Sequence, residues 1–375
     1  MENFLKDLLP ALYKKGAEIS AIVHHHAGSA KTNKELEKTK WLHRVPSYGS
    51  ILYAPVSPLF PFRLNNLVKS FRPDIIHVHM PNTSAFWLLL LGRAQKIPWV
   101  IHWHSDVVAS TIDTRMRAAY TLYRPMEQLL LSKCSAIIST SHNYLDSSTP
   151  LQPWTRKCVV IPLGLDPKRF PCLDSGEKNR PKTLWRKGRE FRVLAIGRLT
   201  YYKGHEILIR AAVKIPNIQI LIVGHGSNRT KLNKLITKLQ VEDKVTLCGM
   251  LPQPVLRTIM SETDCFCLPS VERTEAFGLV LLEAMHYGKA VIASNVPGSA
   301  IGWIVENGKT GFLFEPGNVS GLSHLLRDLS KSPEMHKAMG RSGKIRFDST
   351  FHIDMAAART IDLYKQILDA PLPVS

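Results

Sequence analysis

Short apolar runs alternate with amphipathic stretches along the whole chain, and this alternation predicts its secondary structure. The runs are rich in valine and isoleucine and are often apolar at consecutive positions, which is typical of strands covered on both faces of a parallel sheet. The predicted strands are residues 18–23, 50–54, 74–79, 99–103, 136–140 and 158–161 in the first half, and 191–197, 218–223, 244–248, 264–268 and 289–294 in the second. Helical stretches between strands, such as 65–71 and 111–132, indicate βαβ units. The chain is therefore predicted to be an α/β protein with two Rossmann-like, doubly wound parallel-sheet domains.

The boundary between the two domains is predicted near residues 161–170, where a strand runs into proline, glycine and polar residues. We therefore assign residues 1–165 to an N-terminal domain and 166–351 to a C-terminal domain. Residues 171–190 are rich in charge and proline and are interpreted as a linker or a surface excursion. Residues 352–370 carry a helical apolar stripe. We expect this final helix to pack back on the first domain.

The start of the chain departs from the pattern of a doubly wound sheet. Such a sheet normally opens with a strand, whereas this chain opens with a helix-like segment that carries Phe4, Leu8 and Leu12 and that Pro10 is expected to interrupt. The first strand of the N-terminal domain is thus predicted to be missing.

Membrane insertion and secretion are not indicated by the sequence. No run approaches the ~20 apolar residues that cross a bilayer, and the longest candidate is residues 85–91. The first residues mix acids and lysines with apolar positions, unlike a signal peptide. The six cysteines include no CxxC pair, and Cys265 and Cys267, on one face of a predicted strand, are interpreted as buried thiols. A cytoplasmic protein is expected.

The formal net charge of +19 is divided evenly along the chain. Residues 1–165 contain 19 Lys and Arg against 10 Asp and Glu, and the remainder contains 30 against 20. Such a surface attracts nucleic acid, an anionic membrane or phosphorylated substrates. Since no zinc finger or basic region joined to heptads is found, nucleic acid is not the expected partner. Phosphate-bearing substrates and peripheral contact with the inner face of the plasma membrane are favoured.

The most informative segment for chemistry is residues 269–288. A strand ends at Leu268, and a helix that starts near Phe277 and Gly278 is expected to stop at Gly288. The first amides of such a helix, including those of Leu279 and Val280, form a site for a diphosphate. Two acids flank these amides: Glu275 precedes them, and Glu283 follows within the helix, from which it can reach back to a ribose. The alternative is that both glutamates are solvated charges, but Glu283 lies in a helix that is otherwise apolar all round.

A second basic element agrees with a diphosphate site. Arg198 and Lys203 follow Gly197 at the carboxyl end of the strand 191–197, which is where ligands bind to open α/β sheets. A guanidinium and an ammonium group together suit a diphosphate. Alone, this spacing is a common accident, and it gains weight from the glutamate segment.

Three segments together, 197–204, 223–226 and 275–283, resemble those of the retaining GT-B glycosyltransferases of group 1, also called glycosyltransferase family 4. The resemblance covers residues 1 to about 370. It implies two Rossmann-like domains that face each other across a cleft, with a nucleotide-diphosphate sugar held mainly by the second.

The resemblance also implies site residues and a donor substrate. Arg198, Lys203, Gly197 and Gly224 would contact the donor, and Glu283 would bind the ribose. Catalytic roles would fall to Glu275, which with the backbone of Phe277 and Gly278 meets the donor sugar, and to His104, which points at it. Asp106 would contact substrate.

The family pattern implies a first strand followed by a Gly-Gly-x-Glu loop, and in this chain Met1 stands where x would be. We expect either a start codon further upstream or a truncated protein.

Histidines are numerous at the predicted edge of the first sheet, where His77 and His79 share a face and His24 and His26 close an earlier strand. A metal site is weighed against the lining of a polar cleft. Because no carboxylate or cysteine completes a ligand set, no metal and no other cofactor are expected.

These observations predict a hexosyltransferase that moves mannose or glucose from a UDP- or GDP-sugar to a glycan or lipid-linked acceptor, in cell-surface polysaccharide or glycolipid synthesis. Three alternatives stay open at this point: a sugar-nucleotide 2-epimerase, a phosphorylase with pyridoxal phosphate on a lysine, and an inactive remnant that binds nucleotide. The sequence decides neither the nucleobase nor the oligomeric state.

Overall fold

The chain folds into two compact units in a computed structural model. The residues described are 2–26, 41–51, 54–107, 114–171, 184–186, 188 and 191–370. The first unit comprises residues 1–140, 148–161 and 356–375, and the second comprises residues 141–147 and 162–355. The final helix therefore enters the first unit at Ala356. Most of the predicted linker 171–190 lies outside the described residues, but Trp185 is buried and its indole donates to the carbonyl of Ile259 at 3.2 Å.

The sheets of the first unit are built from short strands. Their bounds are β1 Ala21–His26, β2 Leu42–Ser47, β3 Ser50–Ile51, β4 Ala54–Pro55, β5 Ile76–Met80, β6 Trp99–Trp103, β7 Ala136–Ser139 and β8 Cys158–Val160. A parallel four-stranded sheet has the order β5-β6-β7-β8, and β1 pairs in parallel with β2. Within the described residues, β5 pairs with β6 alone. The central strand β6 is buried at every position, as expected for a strand covered on both faces.

The helices follow the predicted alternation. They are α1 Glu2–Lys14, α2 Phe60–Phe71, α3 Thr114–Lys133, α4 His142–Ser147, α5 His205–Ala212, α6 Arg229–Lys238, α7 Gln253–Ser261, α8 Leu279–His286, α9 Ile301–Ile304, α10 Val319–Ser330, α11 Pro333–Arg346 and α12 Ile353–Asp369. Among the described residues, none of the helices is long and apolar enough to span a bilayer.

The second unit contains a parallel six-stranded sheet. Its strands are β9 Phe191–Ile196, β10 Ile218–Val223, β11 Val245–Gly249, β12 Cys265–Leu268, β13 Ala290–Ser294 and β14 Gly311–Phe314. Their order is β11-β10-β9-β12-β13-β14, so the chain reverses direction across the sheet between β9 and β12. The carboxyl ends of β9 and β12 therefore lie side by side at the switch point, which is where ligands bind to such sheets.

Helix α4 belongs to the second unit although the strands before and after it belong to the first. Its Tyr144 ring lies under the guanidinium of Arg273, with 4.7 Å between the ring centroid and Cζ. The hydroxyl of Ser147 donates to the carbonyl of Gly298 at 3.2 Å. These contacts join the short helix to the loops of the second unit.

Two predicted details of the first unit were wrong. Residues 50–54 were predicted to form a strand of the parallel sheet, but β3 and β4 pair antiparallel with each other, and residues 52–53 lie outside the described part. Helix α1 is not interrupted at Pro10. Proline removes one backbone donor, but the buried Phe4, Leu8 and Leu12 hold the helix against the unit on both sides of it.

Candidate active site

Helix α8 begins at Leu279, directly after Gly278, whose φ of 85° lies in the left-handed region. A Cβ at Gly278 would lie 3.2 Å from side-chain carbons of Leu268 and Leu281. Glycine is therefore favoured both by backbone conformation and by space. Within the described residues, no backbone hydrogen bond uses the amides of Leu279 or Val280. The start of the helix thus presents donors suited to an anion.

The loop before α8 is held by serine side chains. Ser299 donates from its hydroxyl to the carbonyl of Glu275 at 2.5 Å, and Ser270 donates to the Glu275 carboxylate at 3.3 Å. Phe277 is buried, and its ring meets Phe351 edge-on at 6.4 Å. The position of Glu275 is therefore fixed by Ser270 of its own loop and by Ser299 from the loop after β13.

The loop after β9 carries Arg198 and Lys203 and contacts the glutamate loop. The backbone amide of Val271 donates to the carbonyl of Tyr202 at 2.8 Å. Gly204 lies against Pro269 so closely that a Cβ there would be 1.8 Å from the Pro269 carbonyl oxygen. The two loops that the sequence singles out are thus packed together at the carboxyl edge of the sheet.

Lys203 and Glu275 form an ion pair in this arrangement. Both side chains are largely buried, with 12% of each exposed. Arg198 is exposed, and its guanidinium donates to the Tyr202 hydroxyl at 2.9 Å. The structure therefore brings the two predicted cations to the same edge as the predicted acid.

Gly224 lets the loop after β10 approach the backbone of Gly197. A Cβ at Gly224 would lie 1.8 Å from the carbonyl oxygen of Gly197. The amide of Gly197 donates to the carbonyl of Val223 at 3.0 Å. Both glycines shape the backbone of the candidate site, and direct contact between them and a substrate stays a prediction.

Glu283 lies in α8, where it is partly exposed among buried neighbours. The expectation that its carboxylate binds a ribose stays a prediction.

The predicted residues of the first unit lie in two environments. His104 belongs to a stack of imidazoles, and its Nε2 is 2.9 Å from Nδ1 of His79. Burial, followed by the nearby imidazoles, holds the pKa of His104 well below its usual range, so the ring is neutral at neutral pH. Asp106 is buried, and its Oδ1 accepts from the Trp103 indole at 2.8 Å and from the Ser148 hydroxyl at 2.6 Å. These bonds favour a structural role for Asp106, and the predicted contacts of both residues with substrate stay predictions.

Glu127 is a titratable residue that the sequence reasoning missed. Glu127 on α3 is fully buried, and its carboxylate accepts from the Tyr120 hydroxyl at 3.2 Å. Burial raises its pKa to about 7, with the charge of Asp106 adding to the effect. A glutamate on a helix that also carries many polar residues gives no sign of burial in the sequence.

The protein has two Rossmann-like units. In the second unit, Arg198, Lys203 and the start of helix α8 lie at the carboxyl edge of the sheet. This arrangement is that of the GT-B glycosyltransferases. Comparisons with known proteins agree. Residues 176–346 match the family described as Glycosyl transferases group 1, and residues 1–169 match the Glycosyltransferase Family 4 description.

Relatives span most of the chain. An uncharacterised glycosyltransferase of Methanocaldococcus jannaschii is 30% identical over 78% of this chain and 75% of its own length. The D-rhamnosyltransferase WbpZ of Pseudomonas aeruginosa is 29% identical over 76% of this chain and 73% of its own. The O-antigen chain mannosyltransferase C of Escherichia coli is 26% identical over 88% and 85%, respectively.

Solved structures share the fold. The sucrose-phosphate synthase of Thermosynechococcus elongatus superimposes with a TM-score of 0.79 at 23% identity, over 98% of this chain and 93% of its own. The HepE protein of Anabaena, in complex with UDP, superimposes with a TM-score of 0.73 at 20% identity, over 97% of this chain and 95% of its own. The chain belongs to the group 1, family 4 glycosyltransferases and has their two-domain Rossmann-like fold.

Proposed function

We propose that this protein transfers a hexosyl group of the mannose or glucose type from a UDP- or GDP-sugar to a glycan or lipid-linked acceptor, with retention of the anomeric configuration. The observation that carries the proposal is the ion pair of Lys203 with Glu275 at the start of α8, beside the exposed Arg198. It joins a cation for the diphosphate to an acid for the sugar in one place.

The chemistry rests on the departing diphosphate. Arg198 offers a forked pair of hydrogen bonds, Lys203 a point charge, and the amides that open α8 fixed donors. Charge that builds on the leaving phosphate in the transition state is stabilised by donors that are already in place. Retention and front-face displacement are inferred from the family resemblance.

The relatives favour a hexose donor and a surface glycan. The Escherichia coli relative is named for mannose and O-antigen, and the Pseudomonas aeruginosa relative for D-rhamnose. The HepE protein of Anabaena has been solved with UDP-glucose. These names support our proposal that the reaction belongs to the synthesis of lipopolysaccharide or a related surface polysaccharide.

We further propose that the enzyme works in the cytoplasm at the inner face of the plasma membrane. The support is the net charge of +19, which attracts anionic lipid headgroups.

The test is a donor and acceptor panel with the full chain. Binding of UDP, GDP, UDP-glucose and GDP-mannose is measured by calorimetry, and the anomeric configuration of any product by NMR. Lys203→Gln is expected to weaken nucleotide binding by about 10- to 100-fold, the loss of one charge-assisted contact. Lys231→Gln, which removes an exposed lysine paired with Glu206, is the matched control.

Two results would contradict the proposal. One is equal nucleotide affinity in Lys203→Gln and the wild type. The other is turnover of the donor without transfer to any acceptor, which would favour an epimerase-like isomerase instead.

A further inference from the structure

Four imidazoles stack on one face of the first unit's sheet. His77 and His79 are on β5, and His102 and His104 are on and directly after β6, with His79 and His102 paired in register. Ring centroids are 4.5 Å apart for His77 and His79 and 5.0 Å apart for His79 and His102. Phe4 of α1 covers the stack and meets His102 edge-on at 5.3 Å.

Some imidazole nitrogens of this cluster form hydrogen bonds, and others have no hydrogen-bond partner among the described residues. Nδ1 of His77 is bonded to the Tyr364 hydroxyl at 2.5 Å, and Nδ1 of His79 to Nε2 of His104 at 2.9 Å. Within the described residues, Nε2 of His77 and both nitrogens of His102 are buried without a hydrogen-bond partner. A buried polar atom without a partner costs about 1–3 kcal/mol. A ligand that accepts nitrogen lone pairs would remove that cost at Nε2 of His77 and at one nitrogen of His102.

Nitrogens of three imidazoles lie close enough together to be brought to one metal ion. One ligand atom from each of His77, His79 and His102 lies within 4.8 Å of the others. Zinc binds imidazole nitrogen at ~2.1 Å in tetrahedral geometry, which places its ligand atoms about 3.4 Å apart. Binding therefore requires the nearly parallel rings to turn out of the stack towards a shared point.

The remaining hydrogen bonds have the form of a support around a metal. Imidazole ligands characteristically bond through their second nitrogen to a neighbouring group, which fixes the tautomer and the ring orientation. Tyr364 does this for His77, and His104 does it for His79.

We propose that His77, His79 and His102 bind one zinc ion in the first unit, with Tyr364 and His104 as positioning residues. Three imidazoles with one open position form a known zinc ligand set. The sequence argument against a metal was that no carboxylate or cysteine completes a set. The third ligand is instead His102, from the neighbouring strand. The proposed transfer chemistry assigns no role to zinc, but the two share one residue, since His104 is also the predicted contact of the donor sugar.

The experiment is a titration of the full chain with zinc chloride alone, after treatment with a chelator and dialysis. The wild type is expected to bind one zinc ion per chain. His77→Gln and His102→Phe are expected to lose this saturable binding, and the phenylalanine keeps the stack filled. His43→Ala, which removes an exposed imidazole of the same unit, is the matched control and is expected to bind as the wild type does.

A conservative variant protects the test against misfolding. Tyr364→Phe keeps the packing and removes the hydroxyl, and it is expected to weaken zinc binding about 10- to 100-fold. Far-UV circular dichroism of each variant shows whether it is folded. The proposal is overturned if the wild type shows no saturable zinc binding, or if folded His102→Phe and Tyr364→Phe both bind zinc as tightly as the wild type.

Discussion

Glu275 is the anionic partner of Lys203, so a diphosphate that approaches Lys203 competes with a carboxylate already paired to it. Replacing Glu275 by glutamine removes this competitor and also removes the acid assigned to the donor sugar. We expect Glu275→Gln to bind free UDP or GDP as tightly as the wild type or up to about tenfold more tightly. Transfer is expected to fall by on the order of 100-fold.

Calorimetry with free nucleotide and a product assay separate these two effects. Glu334→Gln, at an exposed surface position of the second unit, controls for the loss of one negative charge. A parallel loss of nucleotide affinity and transfer in Glu275→Gln would show that the carboxylate acts on the nucleotide and not on the sugar.

Glu127 gives a pH-dependent prediction for stability. Its pKa is raised from 4.5 to about 7 in the folded protein. Its contribution to the free energy of unfolding is therefore complete below pH 4.5 and is lost as the pH rises towards 7. We expect Glu127→Gln to be more stable than the wild type at pH 8 by about 2 kcal/mol, and to gain nothing near pH 4.5. Chemical denaturation at the two pH values measures this difference.

The control for this prediction is Glu18→Gln, which changes an exposed glutamate of the same unit. Equal stabilisation by Glu127→Gln at both pH values would mean that packing, and not ionisation, is responsible.

The sequence identified several candidate site residues, but it did not predict which residues they would contact. Two sequence patterns identified the loops of the site. The spacing of Glu275, Gly278 and Glu283 identified the glutamate loop before α8. The position of Arg198 at a strand end identified the basic loop after β9. The contact between these loops depends on β9 lying next to β12, an order that no local pattern determines. Glu127 and His102 were missed as candidates for the same reason, since their burial comes from neighbouring elements.

The loops after β9 and β12 are joined by a close approach of their backbones at Gly204 and Pro269. Gly204 has a φ of 64° and touches the Pro269 carbonyl, so it joins the basic loop to the glutamate loop. An alanine there has both an unfavourable backbone conformation and a clash with backbone that cannot rotate away. We expect Gly204→Ala to lower the unfolding free energy by more than about 2 kcal/mol and to abolish nucleotide binding.

Gly317→Ala separates the two causes. Gly317 has a φ of 83° in the same unit, but a Cβ there would meet nothing within 4 Å. Its substitution is expected to cost only about 1 kcal/mol, the cost of the left-handed conformation. Thermal unfolding of both variants measures the difference, and equal losses would argue against the close approach at Gly204.

Strands were predictable where burial is continuous. Residues 99–103 and 218–223 were predicted with the bounds that the structure has, because every position in them is buried. Strand β2 was missed, since its sequence LHRVPS contains histidine, arginine and proline and only two of its residues are buried. Strand β14, with four residues that begin with glycine, lies at the edge of its sheet and is too short to give a periodic signal.

Charge acts at the scale of the whole molecule. Basic residues are in excess in both halves of the chain, and α2 combines an exposed Phe62 with the exposed Arg63 and Lys69. We expect the protein to co-sediment with phosphatidylglycerol vesicles and not with phosphatidylcholine vesicles. Binding should weaken as salt is added, because each exposed cation contributes about 1 kcal/mol through a screened interaction.

Two comparisons test the source of this binding. Phe62→Ser is expected to weaken it further if the apolar ring enters the lipid surface. Binding that is equal for both lipids, or that does not respond to salt, would rule out an electrostatic attachment.

The route of the chain through the second unit has a practical consequence for dissecting this enzyme. A fragment cut at residues 162–355 would lack the short helix that holds Tyr144 and Ser147, and would leave Arg273 without the ring beneath its guanidinium. Donor affinities measured on such a fragment would be those of a protein whose Arg273 loop has lost its contacts with the short helix. Joining residues 141–147 to the fragment through a flexible linker would restore these contacts and make separate study of each half meaningful.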